Sequence, residues 1–311
     1  MLIVAALGGN ALLKRGEPLE AEVQHHNVEA AAEALAPLIG KHRFVVTHGN
    51  GPQVGLLALQ AEAYREVSPY PLDVLGAESE GMIGYLIEQA LAARLPDREI
   101  ATLLTQVMVA PDDPAFAEPT KPIGPVYGEA EAHELAAARG WTVAADGEYF
   151  RRVVPSPEPK RILELGAIRR LVAAGVTVIC AGGGGIPVVV DQAGAIRGVE
   201  AVIDKDLAAA LLASELGADA LLLLTDVAAV ETDWGTTDAR AVRCAAPDHL
   251  HALDFAPGSM GPKVEAACRF AEASDRPAAI GALADAAAIL AGEAGTTVTT
   301  DCDAIEWEDA G

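Results

Sequence analysis

The sequence contains little cysteine, few aromatic residues and little positive charge. Four of its 311 residues are cysteine and none forms a CxxC pair, which argues against a zinc knuckle and a dense disulfide framework. The sequence has 22 Lys and Arg and 45 Asp and Glu, which gives a net charge of −23. This charge argues against binding to nucleic acids or to anionic membranes. We expect a cytoplasmic protein without a signal peptide, because the apolar N-terminus lacks a positively charged region.

The acidity itself has two possible origins. A GC-rich genome favours Arg and Ala over Lys, and an acidic surface poor in lysine is also expected in a high-salt cytoplasm, where salt screens self-repulsion. The sequence leaves both explanations open.

Apolar runs alternate with helical patterns along the chain. Hydrophobic residues make up 51% of it, enough to form a core, but only 4% are aromatic, so that core must be aliphatic. Strands are predicted at residues 2–7, 43–47, 100–109, 176–181, 220–225, 278–280 and 296–299. Helices are predicted at residues 19–39, from 52 onward, and at 78–94, 129–139, 166–174, 204–216 and 262–273. This alternation predicts an α/β fold in which helices cover both faces of a mostly parallel sheet.

A proline-rich stretch interrupts the alternation between residues 112 and 159. It surrounds one short predicted helix, and we interpret it as a small protruding subdomain inserted into a single domain spanning 1–311.

Three predicted strands end in glycine-rich loops, at Gly8-Gly9-Asn10, Gly49-Asn50-Gly51 and Gly182–Gly185. Glycine lets backbone N–H groups approach an anion, and a following helix N-terminus adds partial positive charge. Ligands of open parallel sheets bind beyond the carboxyl ends of the strands. Glycine also serves ordinary tight turns, but three such loops favour a ligand with several phosphates.

The sequence contains no GxxxxGK[ST] motif, which excludes a P-loop. The pattern Gly49-x-Gly51-x-x-x-Gly55 approaches a dinucleotide fingerprint, with Asp73 near the position of the required acidic residue. An NAD(P)-binding oxidoreductase therefore remains an alternative, although the residues before Asp73 do not read as a strand.

Lysine is scarce, with six residues against sixteen arginines, and three of the six lie in Gly- or Pro-framed turns or at helix starts. These are Lys121, Lys205 and Lys263. A lysine in the first turn of a helix opposes the helix dipole, so a nearby anion must offset the cost. Phosphoryl transfer creates that demand, because its catalysis consists mainly of positioning and charge neutralisation. Asp204 and Asp206 flank Lys205 and could cap a helix, hold ammonium groups or help to seat Mg²⁺.

Several segments together resemble the carbamate kinases of the amino-acid-kinase superfamily, over residues 3 to about 298. The segments that carry the resemblance are 6–12, 47–55, 113–116, 119–125, 152–157, 182–188, 198–209 and 258–267.

The resemblance implies a three-layer αβα sandwich with a mainly parallel central sheet and a small protruding subdomain, usually as a homodimer. It implies reversible, Mg²⁺-dependent phosphoryl transfer between carbamoyl phosphate and ADP, giving ATP and carbamate, as in arginine fermentation. Lys121 would reach the transferred group from the protrusion and Lys205 from the sheet. Lys263 would contact nucleotide phosphates, and Asp206 would orient the lysines.

The resemblance also assigns the remaining site residues. Carbamoyl phosphate would lie against Gly8, Gly9, Asn10, Gly49, Asn50 and Gly51. The nucleotide would lie against Gly183, Gly184, Thr225, Asp226, Val227, Met260 and Lys263. Two positions depart from the family pattern, Glu231 and Phe150. The alternatives are a kinase of another small carboxylate or phosphate on the same fold, and a nucleotide-binding regulatory subunit without turnover. The apolar helix around 82–87 could form a subunit contact or pack in the core.

Overall fold

The computed structural model describes residues 1–13, 16–64, 66–256 and 260–308. Its strands are β1 Leu2–Leu7, β2 Arg43–His48, β3 Ile100–Thr102, β4 Gln106–Met108, β5 Lys121–Tyr127, β6 Thr142–Asp146, β7 Tyr149–Val154, β8 Arg161–Ile162, β9 Thr177–Ile179, β10 Ile186–Val190, β11 Ile196–Gly198, β12 Ala220–Thr225, β13 Val230–Thr232, β14 Arg240–Ala245, β15 Ala278–Ala282, β16 Thr296–Val298 and β17 Glu306–Trp307. Its helices are α1 Gly9–Leu12, α2 Ala21–Ile39, α3 Gly51–Ala63, α4 Leu72–Arg94, α5 Glu129–Arg139, α6 Leu165–Ala173, α7 Lys205–Leu216, α8 Pro247–His251, α9 Met260–Ser274 and α10 Ala286–Leu290.

The central sheet has the strand order β13-β14-β16-β15-β12-β1-β2-β9-β3, with β17 paired to β14. The strands from β15 to β3 are all parallel, as the sequence predicted. In the register of this sheet, Leu7 at the end of β1 lies opposite His48 and Leu224. The loops that follow β1, β2 and β12 therefore meet at one edge.

Alternate residues of the sheet face two separate cores. Ile3, Ala5 and Leu7 of β1 pack in one cluster with residues of α2, α4 and α10. Val4 and Ala6 pack on the opposite side with residues of α6, α7 and α9. Because β1 is buried on both faces, its sequence is a continuous apolar run. Helices on both faces of the sheet make the fold a three-layer αβα sandwich.

The predicted strand 100–109 is wrong as a single element. It divides into β3, at the edge of the central sheet, and β4, which belongs to a second sheet of order β11-β10-β4-β8. Between them the Thr105 N–H donates to the side chain of Glu80, and the Thr105 carbonyl accepts from Ile186. These tertiary bonds replace the pairing that would have continued β3.

A third sheet, of order β5-β7-β6, lies within the proline-rich stretch and carries α5. It packs on α3 at a close backbone contact, where a Cβ placed on Gly55 would lie 2.0 Å from the Cα of Gly124. This contact requires glycine and aligns β5 with α3.

Two of the four cysteines are paired. Cys244 of β14 forms a disulfide with Cys302, 58 residues later, while Cys180 and Cys268 are free thiols. Tertiary folding brings β16 and the C-terminal segment alongside β14, and spacing in sequence does not reveal that approach. Among the described residues, no helix is both long and apolar enough to cross a bilayer.

Candidate active site

The loops after β1, β2 and β12 form the floor of the site. The Gly8 N–H donates to Leu224 O at 2.7 Å and the Gly49 N–H donates to Leu7 O at 3.1 Å. A Cβ on Gly49 would lie 3.2 Å from the backbone of Gly9 and 3.2 Å from the side chain of Lys205. The predicted glycine loops are thus brought together beside one of the predicted lysines.

Helix α7 starts at Lys205 and points its N-terminus at this floor. Asp204 is the N-cap, and its Oδ1 accepts the N–H groups of Asp206 at 2.9 Å and Leu207 at 3.3 Å. The capping function considered for Asp204 is therefore confirmed. Capping also fixes the direction in which Lys205 and Asp206 leave the first turn.

The Asp206 carboxylate holds two of the predicted lysines. Lys205 Nζ lies 2.5 Å from Asp206 Oδ1, and Lys263 Nζ, in the first turn of α9, lies 3.1 Å from Oδ2. The side chain of Asp206 is 4% exposed, and those of the lysines are 11% and 12% exposed. Two ammonium groups thus share one buried carboxylate.

Lys121 completes the group from the third sheet. Strand β5 begins at Lys121 and places its Nζ 2.5 Å from Asp204 Oδ2. Because Asp204 also binds the Asp206 N–H, the two lysine–aspartate groups are joined through α7. The structure therefore brings Lys121, Lys205, Lys263 and Asp206 together.

Burial and charge oppose each other in this cluster. Burial lowers the pKa of the Lys205 ammonium to about 8, against the attraction of Asp206. Burial alone would raise the pKa of the Asp206 carboxyl, but the charges of Lys205 and Lys263 outweigh it and hold that pKa below the ordinary range. The Asp204 carboxyl behaves in the same way, with burial opposed mainly by Lys121.

The Gly182–Gly185 loop packs under the floor. Gly183, Gly184 and Gly185 all have positive φ, and a Cβ on Gly183 would lie 2.1 Å from the side chain of Asn50. Asn50 in turn donates to Ser79 Oγ at 2.8 Å. Gly183, predicted to contact the nucleotide, thus lies against the loop predicted for carbamoyl phosphate.

Glu80 was not singled out from the sequence. It is 1% exposed, and its two carboxyl oxygens accept the N–H groups of Gly182 at 2.9 Å and Thr105 at 3.1 Å. Burial raises its pKa to about 8. His48 is fully buried beside it, and burial lowers the pKa of its imidazole to about 4.

The other five residues predicted to contact the nucleotide lie at the C-terminal end of β12 and at the start of α9. Thr225 ends β12 next to Gly8 and its hydroxyl donates to Asp226 Oδ1 at 3.0 Å. Val227 follows at once, and Met260 begins α9 one turn before Lys263. Pro257, Gly258 and Ser259, part of the motif before Lys263, lie outside the described residues. The backbone of Asn10 lies in α1.

The structure also locates the two residues that differ from the family pattern and the acidic residue of the dinucleotide pattern. Glu231 lies in the edge strand β13, and Phe150 of β7 packs on His133 with ring centroids 5.5 Å apart. Asp73 lies in the first turn of α4, where its carboxylate takes the space a Cβ on Gly198 would need. A dinucleotide site requires that acid at the end of a second strand, so the oxidoreductase alternative is not favoured.

Comparison with known proteins agrees with this arrangement. The model of the amino acid kinase family matches residues 1–282. A carbamate kinase from Rhizobium meliloti is 55% identical over 310 residues, covering 99% of this chain and 96% of that protein. One from Haemophilus influenzae is 53% identical over 308 residues, covering 99% of both.

A solved structure gives the same result for the fold. Carbamate kinase from Giardia lamblia bound to AMP-PNP superposes with a TM-score of 0.86 at 42% sequence identity, covering 96% of this chain and 98% of that one. Since the family model and relatives spanning almost the whole chain agree, this chain belongs to the amino acid kinase family and, within it, to the carbamate kinases.

Proposed function

We propose that this chain transfers a phosphoryl group reversibly between carbamoyl phosphate and ADP, giving ATP and carbamate. The observation that carries the proposal is the pairing of Lys205 and Lys263 with one buried carboxylate, beside Lys121 on Asp204. Phosphoryl transfer spreads charge over three equatorial oxygens, and cations held in place beforehand stabilise that charge without reorganisation.

The aspartates make the lysines usable as donors. A lysine ammonium has three N–H donors and no acceptor, so one bond to Asp204 or Asp206 leaves two for ligand oxygens. Lys205 and Lys263 approach from α7 and α9, while Lys121 approaches from β5. We infer that Lys121 and Lys205 contact the transferred group and that Lys263 contacts the nucleotide phosphates.

The two substrates occupy adjacent parts of the floor in this proposal. Carbamoyl phosphate lies against the backbone of Gly8, Gly9, Asn10, Gly49, Asn50 and Gly51. ADP lies against Thr225, Asp226, Val227, Met260 and Lys263, with Gly183 and Gly184 between the two sites. The nucleotide part is supported by the similar Giardia lamblia enzyme, whose structure is bound to AMP-PNP.

The donor set argues against a magnesium site built from the Asp204 and Asp206 carboxylates. Asp206 Oδ1 and Oδ2 each accept a lysine, Asp204 Oδ2 accepts Lys121, and Asp204 Oδ1 accepts backbone N–H groups. Mg²⁺ prefers oxygen ligands that carry no competing donor. We therefore propose that Mg²⁺ enters on the nucleotide phosphates, where it neutralises their charge.

The surroundings of the site belong to the same proposal. Residues 112–159 act as a protruding subdomain that carries Lys121. The chain forms a homodimer, supported by the exposed side chains of Met82, Tyr85 and Leu104 around α4, which sedimentation velocity can test. A cytoplasmic location and a place in arginine breakdown are inferred from the family alone.

Alanine variants of the lysines test the function. Lys205→Ala and Lys263→Ala are expected to abolish ATP formation from carbamoyl phosphate and ADP, measured by a coupled assay, while circular dichroism stays unchanged. The exposed Lys41 supplies the matched control Lys41→Ala, which should keep wild-type turnover. Near-wild-type turnover in either site variant would contradict the assigned roles.

An assay of the reverse reaction separates the alternative kinases. Carbamate, acetylglutamate, aspartate and isopentenyl phosphate are each offered with ATP, and ADP release is measured. We expect release with carbamate alone, and a higher rate with any other acceptor would overturn the substrate assignment.

A further inference from the structure

A cluster of four side chains joins the third sheet to the C-terminal end of α3. Glu62 of α3 accepts hydrogen bonds from Arg139 Nη1 at 2.7 Å and from Trp141 Nε1 at 3.3 Å, and lies 3.7 Å from Arg152 Nη1. Both guanidinium groups also lie over the Trp141 ring, each 4.8 Å from its centroid. We call these four residues, Glu62, Arg139, Trp141 and Arg152, the α3 latch.

The latch is more than an exposed ion pair. The side chain of Glu62 is 22% exposed and that of Arg152 is 19% exposed, so solvent screens them less than it screens surface charges. Arg139 donates to the carboxylate and Arg152 lies within ion-pair distance of it, while both planar guanidinium groups lie over the indole, which restricts their orientation. One carboxylate on α3 thus holds three side chains of the third sheet and its helix.

The latch is connected to Lys121 through the pairing of β7 with β5. Arg152 of β7 lies two residues before Val154, which is paired with Lys121 at the start of β5. The same sheet contacts α3 at the backbone of Gly55 and Gly124. A displacement of the sheet at the latch is therefore transmitted along β7 to Lys121.

We propose that Glu62 is a positioning residue for phosphoryl transfer, because the α3 latch stops rotation of the third sheet about Gly55 and so holds Lys121 beside Asp204. The proposal rests on the role of Lys121 given under the proposed function. Helix α3 starts at the Gly49–Gly51 loop, so the latch orients Lys121 relative to the helix that follows the substrate loop. A displacement of 1 Å in such a group can cost roughly 100-fold in rate.

Substitutions of Glu62 test the latch by steady-state kinetics. Glu62→Ala is expected to lower kcat/KM for carbamoyl phosphate by roughly 10- to 100-fold, with KM for ADP changed less than about twofold. Glu62→Gln keeps an acceptor for Trp141 and Arg139, so its kcat/KM should lie between those of the wild type and Glu62→Ala. This variant provides the test if the alanine variant does not fold. Circular dichroism and the melting temperature check folding.

His133→Ala is the matched control. It removes the ring of α5 that packs on Phe150 of β7 with centroids 5.5 Å apart, a contact between the third sheet and its own helix. We expect its kinetics to match the wild type. An equal loss in His133→Ala and Glu62→Ala would mean that any weakening of this sheet has the same effect, and would overturn the proposal.

A double-mutant cycle tests whether Glu62 affects catalysis through Lys121. If Glu62 acts through Lys121, Glu62→Ala costs nothing further in a Lys121→Ala background, measured at high enzyme concentration to read the residual rate. Additive losses would overturn the latch and leave the role of Lys121 intact. A harmless Lys121→Ala would instead overturn that role, and the latch proposal with it.

Discussion

At the scale of single residues, the site depends on how one carboxylate meets two cations. Asp206 is the second residue of α7, where the helix dipole favours a negative charge, and its oxygens face Lys205 and Lys263. Removal of the carboxylate would leave two largely buried ammonium groups without the counter-charge that they share, which is costly. In the free enzyme the single negative charge of Asp206 only partly neutralises the two ammonium groups. The phosphate of a bound substrate supplies the further negative charge.

This balance predicts a pH dependence. Burial lowers the pKa of Lys205 to about 8, so the free enzyme loses that positive charge as the pH rises through about 8. The plot of kcat/KM against pH is expected to fall on its alkaline side near that value, because kcat/KM reports the free enzyme. Bound phosphate stabilises the ammonium, so kcat should fall only at higher pH. A kcat/KM that stays flat to pH 9.5 would contradict this assignment.

The sequence indicated these lysines and gave no sign of Glu80. Lysine is rare in the chain, and Lys121, Lys205 and Lys263 lie in turns or at helix starts, so their residue type and local context marked them. Glu80 lies within the helical pattern of α4, where a glutamate is ordinary. Its role as an acceptor for two backbone N–H groups is apparent only in the folded chain, because the donors, Gly182 and Thr105, are distant from it in sequence.

At the scale of elements, the position of β5 against α3 determines whether Lys121 reaches the site. The backbones of Gly55 and Gly124 approach so closely that no side chain fits between them. Gly124 has a φ of 72°, a conformation that favours glycine in any case, but helix α3 would be more stable with alanine at residue 55. The contact between elements therefore overrides local propensity.

Gly55→Ala tests this contact. Its Cβ would meet backbone atoms of Gly124 at 2.0 and 2.1 Å, so β5 must move away from α3. We expect kcat/KM for carbamoyl phosphate to fall at least about tenfold. Gly76→Ala, in α4 with no atom within 4 Å of its Cβ, is the control and should keep full activity. Equal activity of the two variants would show that the contact does not position the strand.

The disulfide between Cys244 and Cys302 joins β14 to the segment between β16 and β17. Closing a 58-residue loop stabilises the fold by up to about 4 kcal/mol through chain entropy. Cys302→Ser is expected to lower the free energy of unfolding by about 2–4 kcal/mol, measured by urea unfolding without reductant. Dithiothreitol should destabilise the wild type and leave the variant unchanged, and an insensitive wild type would contradict the bond.

At the scale of the whole molecule, the charge of −23 opposes compaction. Acidic residues outnumber basic ones, 45 against 22, so carboxylates repel one another across the surface even though some of them form ion pairs. Salt shortens the range of that repulsion to about 3 Å at 1 M.

The melting temperature is therefore expected to rise by several degrees between low salt and 1 M KCl. Differential scanning calorimetry at constant pH measures it, and sucrose at equal osmolality controls for solvent exclusion. A melting temperature that falls with KCl would mean that attractive ion pairs, which salt also weakens, outweigh the repulsion.

The sequence by itself determined the strands of the parallel sheet, most of the helices and the three lysines, because apolar periodicity and residue type are local properties. It did not predict the strands of the third sheet, β5, β6 and β7. It predicted β1, β12 and α5 at the bounds the structure has. It placed the start of α4 six residues late and read β3 and β4 as one strand. Both errors lie where side-chain bonds from distant residues, Glu200 to Leu72 and Glu80 to Thr105, set the boundary.

Only the tertiary structure decided which charges share a carboxylate, which glycines touch and which cysteines join. Lys121 and Asp204 are 83 residues apart, and Glu62 and Arg139 are 77 apart. Contacts over such separations depend on how the layers pack, since no local pattern encodes the distance between two side chains that the sheet brings together.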